Sequence, residues 1–141
     1  MKNKIVVIIS IMLISACSFA GTTPNAAVLK TFNEKFPTAT DVKWGMETKT
    51  EFEADFKVDG KSISANFAAD GSWLETEMQI PVSELPKPVA DAIQKQYPGF
   101  QILEADKTET AKHGTIYEAD IKSGSIKKAL AYKEDGTTVI E

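Results

Sequence analysis

Arginine is absent from this 141-residue chain, and cysteine and histidine occur once each. All 16 basic residues are lysines, set against 20 acidic ones for a formal net charge of −4. Guanine edges and phosphates are best gripped by the guanidinium fork, and an acidic body repels a polyanion. Nucleic acid is therefore excluded as a partner. One histidine and one cysteine cannot assemble a zinc site, which draws on several such ligands. No Gly-x-Ser-x-Gly elbow, glycine-rich phosphate loop or dinucleotide fingerprint occurs. A nucleophile beside a base is missing as well, because His113 stands alone in Lys112-His113-Gly114, a stretch that reads as an exposed hairpin tip. With 43% hydrophobic and 26% charged residues, the chain is also neither disordered, nor collagen-like, nor a multi-span membrane protein.

One apolar stretch, Ile5 to Ile14, stands out at the N-terminus, preceded by Lys2 and Lys4 and followed by small residues. It is too short to cross a hydrocarbon core about 30 Å thick, which takes about 20 helical residues. A positive start, a short greasy middle and a small-residue end describe a secretory signal. Two processing sites fit. Ser18-Phe19-Ala20 suits cleavage before Gly21, making residues 1–20 the signal. Leu13-Ile14-Ser15-Ala16-Cys17 resembles a bacterial lipobox, in which residues 1–16 leave and Cys17 carries lipid. That lipid would be the chain's one membrane contact. Cys17 is the sole cysteine, so the exported body uses no disulfide. The remaining residues, 24–141, amount to one domain, long enough to bury roughly two-thirds of its unfolded surface.

Internal similarity organises that domain. Val28-Leu29-Lys30-Thr31-Phe32-Asn33-Glu34-Lys35-Phe36-Pro37 resembles Val89-Ala90-Asp91-Ala92-Ile93-Gln94-Lys95-Gln96-Tyr97-Pro98. Glu53-Ala54-Asp55-Phe56-Lys57 resembles Glu118-Ala119-Asp120-Ile121-Lys122, and Phe67 with Asp70-Gly71 resembles Tyr132 with Asp135-Gly136. Anchors in one order at near-constant offsets indicate two repeats, about 24–80 and 83–141. Each opens with a helix whose apolar residues fall at i, i+4, i+8: Val28, Phe32, Phe36 and Val89, Ile93, Tyr97. Pro24 and Pro88 suit a first helical turn, and Pro37 and Pro98 end the helices.

Strands follow with period two. Val42, Trp44 and Met46 form one inward row, Phe52 to Val58 a second, and Ile63, Ala65 and Phe67 a third, with Asp59-Gly60 and Asp70-Gly71 as turns. Trp73 to Ile80 continues the first copy. Leu103 and Ala105, then Tyr117, Ala119 and Ile121, then Leu130 and Tyr132 supply the second, and Asp135-Gly136 leads into a last strand, Thr137 to Glu141. Pro81, Pro86 and Pro88 mark the joint. The expected class is α+β: a tandem repeat of two helix-plus-antiparallel-meander units, helices packed on one face of the sheet.

The helix ending in Phe36-Pro37, then Asp41-Val42-Lys43-Trp44, Phe52-Glu53-Ala54-Asp55-Phe56 and Phe67-Ala68-Ala69-Asp70-Gly71-Ser72-Trp73, resembles the PepSY-like periplasmic family, also described as β-lactamase-inhibitor-like. The Leu85-Pro86 entry to a second helix ending at Tyr97-Pro98 extends the likeness over residues 26–141. The resemblance implies a tandem α+β fold, secretion to the bacterial envelope, no catalysis, no cofactor, and the binding or restraint of a peptide, protease or other protein. No inhibitory contact residue carries over, and the second copy departs from the pattern, with Ala105 and Thr138 where Trp44 and Trp73 stand in the first.

Carboxylates are the chemistry that remains. Glu53 and Asp55 share a strand face, as do Glu118 and Asp120. On a solvent face they serve solubility and guard against sheet stacking rather than acid–base catalysis. No Asp-x-Asp-x-Asp-Gly calcium loop is present, although a small-ligand or cation-binding envelope protein, calcium included, is the alternative function. Trp44 has core parity. Trp73 is in phase with Glu75 and Glu77, which puts it either on the open face beside acids or, if the strand packs with the other parity, in the core. In the first case Trp73, Glu53, Asp55, Glu75 and Glu77 form a recognition surface for a lysine-bearing partner. The intact mass of the exported protein tests the address: it corresponds to a chain starting at Gly21 or at a lipidated Cys17, and a chain retaining Lys2 to Ala16 would contradict export.

Overall fold

The computed structural model describes residues 22–139. The expected signal, with Cys17 and Ala20, and the final Ile140 and Glu141 lie outside the described residues. Among the described residues, two ten-residue α-helices, α1 (Ala26–Lys35) and α2 (Lys87–Gln96), accompany seven strands. These are β1 (Thr40–Met46), β2 (Glu51–Val58), β3 (Lys61–Ala68), β4 (Trp73–Ile80), β5 (Gln101–Thr110), β6 (Gly114–Ser123) and β7 (Ile126–Lys133).

Both helices start and stop for local reasons. Asn25 Oδ1 accepts from the Ala27 and Val28 amides at 3.0 and 3.1 Å, filling two of the donors that a helix start leaves unpaired. The helix therefore begins after Asn25, and Pro24 precedes the cap rather than occupying the first turn. In α2, Pro88 does sit in the first turn. The Phe36 and Tyr97 amides close on the Phe32 and Ile93 carbonyls at 2.8 Å, and the prolines that follow prevent another turn.

The expected tandem repeat is not what the strands build. They form one seven-stranded sheet in chain order, β1 through β7, with four strands after α1 and three after α2. Among the described residues, the segment beyond Asp135-Gly136 makes an isolated bridge, Tyr132 to Thr138, and the end of the expected last strand, Ile140 and Glu141, lies outside them. The physical reason lies in what the similar segments encode. A helical stripe and an Asp-Gly turn are local devices, whereas strand number and pairing depend on which neighbour satisfies each row of backbone groups. In-order antiparallel pairing does so continuously.

The described residues divide into two compact units, 22–78 with 109–114, and 79–108 with 115–139. In the first, Val28 and Phe32 of α1 bury against Ala54, Phe56, Ala65 and Phe67. Phe32 is the hub: its ring lies 5.1 Å from those of Phe56 and Trp44, 5.5 Å from Phe36 and 6.1 Å from Phe67, mostly edge to face. In the second, Val89 and Ile93 of α2 are buried, as are Tyr117, Ala119, Ile121, Leu130 and Tyr132. Tyr132 donates its hydroxyl to Gln96 Oε1 at 3.2 Å, and burial pushes that phenol up to about 12.

Two turn glycines abut the helix starts. Gly71, with φ +91°, would place a Cβ 2.8 Å from the Ala27 carbonyl, and Gly136, with φ +81°, would place one 2.5 Å from the Pro88 oxygen. Phe32→Ala should cost about 3–5 kcal/mol in urea unfolding, as for a large aromatic removed from a closed core. Gly71→Ala should cost more than the roughly 1–2 kcal/mol of left-handed strain expected for Gly60→Ala, whose Cβ would meet nothing within 4 Å. Equal costs for the two glycines would contradict the close approach.

Candidate functional site

Antiparallel register places the outward residues of the first unit in two rows. Gly45 on β1 faces Glu53 on β2, Glu53 faces Asn66 on β3, and Asn66 faces Glu75 on β4. One pair along, Lys43 faces Asp55, Asp55 faces Ser64, and Ser64 faces Glu77. The inward residues Ala54, Phe56, Ala65 and Phe67 alternate with these and pack under α1. Four of the five residues expected in the site therefore share the helix-free face: Glu53, Asp55, Glu75 and Glu77.

Trp73 does not join them. It pairs with Phe67 and packs against the helix-side core, half-buried. Its Nε1 donates to Thr76 Oγ1 at 2.9 Å, and Lys35 Nζ from α1 lies 3.9 Å from the ring centroid. The cause is a bulge: Asn66 pairs with Glu75 and Phe67 with Trp73, leaving Leu74 as an extra residue on β4. Trp73 thus faces inward while Glu75, two residues on, faces outward. Neither uniform parity describes this strand.

Crowding raises the acids' proton affinity. Partial burial, followed by the charges of Asp55, Glu47 and Glu75, pushes Glu53 up to about 7. Burial also raises Asp55, with Lys43 opposing. Asn66 Nδ2 donates to Glu75 Oε1 at 3.0 Å.

The second unit carries a comparable group around Glu118 and Asp120, the pair expected to share a strand face, and its members Asp106 and Thr108 were not singled out from sequence. Asp106 on β5 is pushed up to about 6 by burial and by Glu118, Glu104 and Asp120. Thr108, only 1% exposed, donates to Glu118 Oε2 at 2.7 Å. Parity alone could have found Asp106 and Thr108, since both alternate with the buried Ala105. By contrast, Asp70 and Asp135 are turn residues. Each accepts from a backbone amide two residues on, Ser72 at 2.8 Å and Thr137 at 2.9 Å. The Thr137 hydroxyl, donating at 2.6 Å, together with its amide holds Asp135 below the usual range, and the Ser72 amide and side chain do the same for Asp70. His113 at the β5–β6 tip is half-buried, its amide bonded to Thr110 Oγ1 at 2.8 Å. Among the described residues, no group of three or more His, Cys, Asp or Glu side chains is arranged to hold a metal ion, and no helix is long and apolar enough to cross a membrane.

A family model described as "Putative beta-lactamase-inhibitor-like, PepSY-like" matches residues 50–139. No curated protein matches the chain. Several solved structures do. A DUF2874 family protein from Bacteroides ovatus superposes with a TM-score of 0.75 at 22% identity, over 85% of this chain and 87% of that one. A BLIP-like protein from Bacteroides fragilis gives 0.73 at 23% identity, over 87% and 88%. A protein from Bacteroides eggerthii described as "putative periplasmic" gives 0.73 at 16%, over 84% and 88%. At these identities the likeness establishes the fold.

The raised carboxyls set a pH dependence. Between the ordinary glutamate value of 4.5 and about 7, folded Glu53 holds more proton than the unfolded chain. Stability therefore falls as pH rises through that window and levels off above it; Asp106 acts with the same sign up to about 6. Urea midpoints should decline across this range, and Glu53→Gln should flatten its upper part. A wild-type midpoint that rises from pH 5 to 7 would contradict the crowding.

Proposed function

The chain belongs to the PepSY-like, beta-lactamase-inhibitor-like family, and from that premise we propose that it is an exported, non-catalytic binding protein of the bacterial cell envelope. Its helix-free face grips a lysine-bearing segment of a peptide or protein partner. The observation that carries this reading is the pair of rows holding Glu53, Asp55, Glu75 and Glu77 on one face. Adjacent strands lie about 4.8 Å apart, so Glu53 and Glu75, with Asn66 between, sit about 10 Å apart at the backbone. That spacing is too wide for both carboxylates to close on one small ion and leaves room for separate cationic side chains of an extended segment. Charge complementarity here sets specificity and on-rate more than raw affinity.

Export rests on the charged, apolar and small-residue blocks of residues 1–20, and the periplasmic description of the B. eggerthii protein supports it. Lipidation at Cys17 would tether the same domain to a membrane. The inhibitor-like character of the family supports restraint of a partner rather than turnover of a substrate.

Affinity capture from envelope extracts tests the reading. A variant combining Glu53→Gln, Asp55→Asn, Glu75→Gln and Glu77→Gln should lose at least about nine-tenths of the captured partner, and wild-type capture should weaken as salt shortens the screening length. Lys95→Ala, on α2, should capture as wild type. Equal capture by the neutralised variant would refute the proposal.

A further inference from the structure

Asn66 sits between two acids but is paired with only one of them. Its Nδ2 donates to Glu75 Oε1 at 3.0 Å, while its Oδ1 is shut away from solvent without a hydrogen-bond partner. An amide oxygen removed from water calls for a donor. On the flank away from Glu75, the residue directly opposite Asn66 is Glu53. An ionised carboxylate only accepts and cannot answer that oxygen, whereas a carboxylic acid carries an O–H that can.

We propose that neutral Glu53 donates its carboxyl hydrogen to Asn66 Oδ1, so that Glu53, Asn66 and Glu75 form a proton-operated row across β2, β3 and β4. With the proton in place, the chain of bonds runs from the Glu53 O–H to the amide oxygen, and from the amide N–H to the Glu75 carboxylate. With the proton gone, Asn66 Oδ1 faces a second negative charge and the row opens. Glu53 then adds its charge to the face.

The surroundings bias this row toward its protonated form. From β1, Gly45 opposite Glu53 brings no side chain, Lys43 lies across from Asp55, and Glu47 stands just beyond the strand end. On β2 itself, Glu51 and Asp55 flank Glu53. On β3, Ser64 and Asn66 carry no titratable group, and β4 contributes Glu75 and Glu77. α1 packs against the other face. Apart from Lys43, every charge facing Glu53 is negative, and burial adds to their effect. Resting on the function proposed above, the row has a regulatory consequence: acidification discharges the face and releases a cationic partner.

Carboxyl and amide 13C NMR of the mature chain, with no partner present, tests the row directly. The Glu53 Cδ resonance should titrate near 7, the Asn66 Cγ resonance should move with the same midpoint, and Glu53→Gln should abolish the Asn66 movement. Asn66→Leu, which removes the acceptor without admitting water, should weaken proton binding at Glu53 several-fold. If that variant does not fold, the wild-type and Glu53→Gln titrations decide alone. A Glu53 titration that leaves Asn66 unmoved, or an Asn66 resonance that follows Glu75 instead, would overturn the proposal. A second arm separates it from the binding reading. Envelope capture at about pH 5.5 and about pH 8.5 should strengthen with pH for wild type and stay level for Glu53→Gln. An intact NMR coupling without capture at either pH would sink the binding reading alone, and capture without the coupling would sink the row alone.

Discussion

Phe32 settles which side of the first unit's strands is dry. Its ring touches four other aromatic rings, from the residue that caps α1 and from β1, β2 and β3, so the helix can lie on one face of those strands only. Burying one such side chain is worth about 1.5–3 kcal/mol, and the cluster sums several of them. Strand alternation then leaves Glu53, Asp55 and Asn66 no place but the opposite face, and the bulge at Leu74 resets β4 so that Glu75 and Glu77 join them. Their mutual repulsion and partial desolvation are costs of that arrangement, and the aromatic core is large enough to carry them. The same crowding that lifts Glu53 to about 7 makes the face chemically distinctive.

Much of this was legible in the amino-acid order. Val28 and Phe32 at helical spacing, and Ala54, Phe56, Ala65 and Phe67 at strand spacing, predict the buried set directly, and both helices lie where the stripes put them. Glu53 and Asp55 follow from the same alternation. Asn25 as the cap, rather than Pro24 in the first turn, depends on a side-chain oxygen reaching two amides. Parity arguments pass over such a contact.

Two features escaped because they are not local. The bulge at Leu74 breaks the alternation of β4 by one residue, so Trp73 and Glu75 share sequence parity and stand on opposite faces. A bulge depends on the partner strand and leaves no period of its own to read. The similar segments around Val28 and Val89 suggested two equal units, yet pairing in chain order gives one sheet with unequal strand numbers after its helices. Similar helices and turns fix the corners of a fold without fixing how many strands run between them. Asn66 was equally visible as an outward residue on β3, but its significance arises from a buried oxygen that only coordinates reveal.

The sorting of Trp73 from the carboxylates is the point on which the wet, acidic face stands or falls. Fluorescence quenching of a Trp44→Phe variant, which leaves Trp73 as the single tryptophan, measures it directly. Neutral acrylamide should quench this indole far less than free tryptophan amide, and the result should not change when Glu53, Asp55, Glu75 and Glu77 are neutralised together. Quenching equal to that of the free amide in a folded protein would show Trp73 detached from the helix-side core and contradict the account.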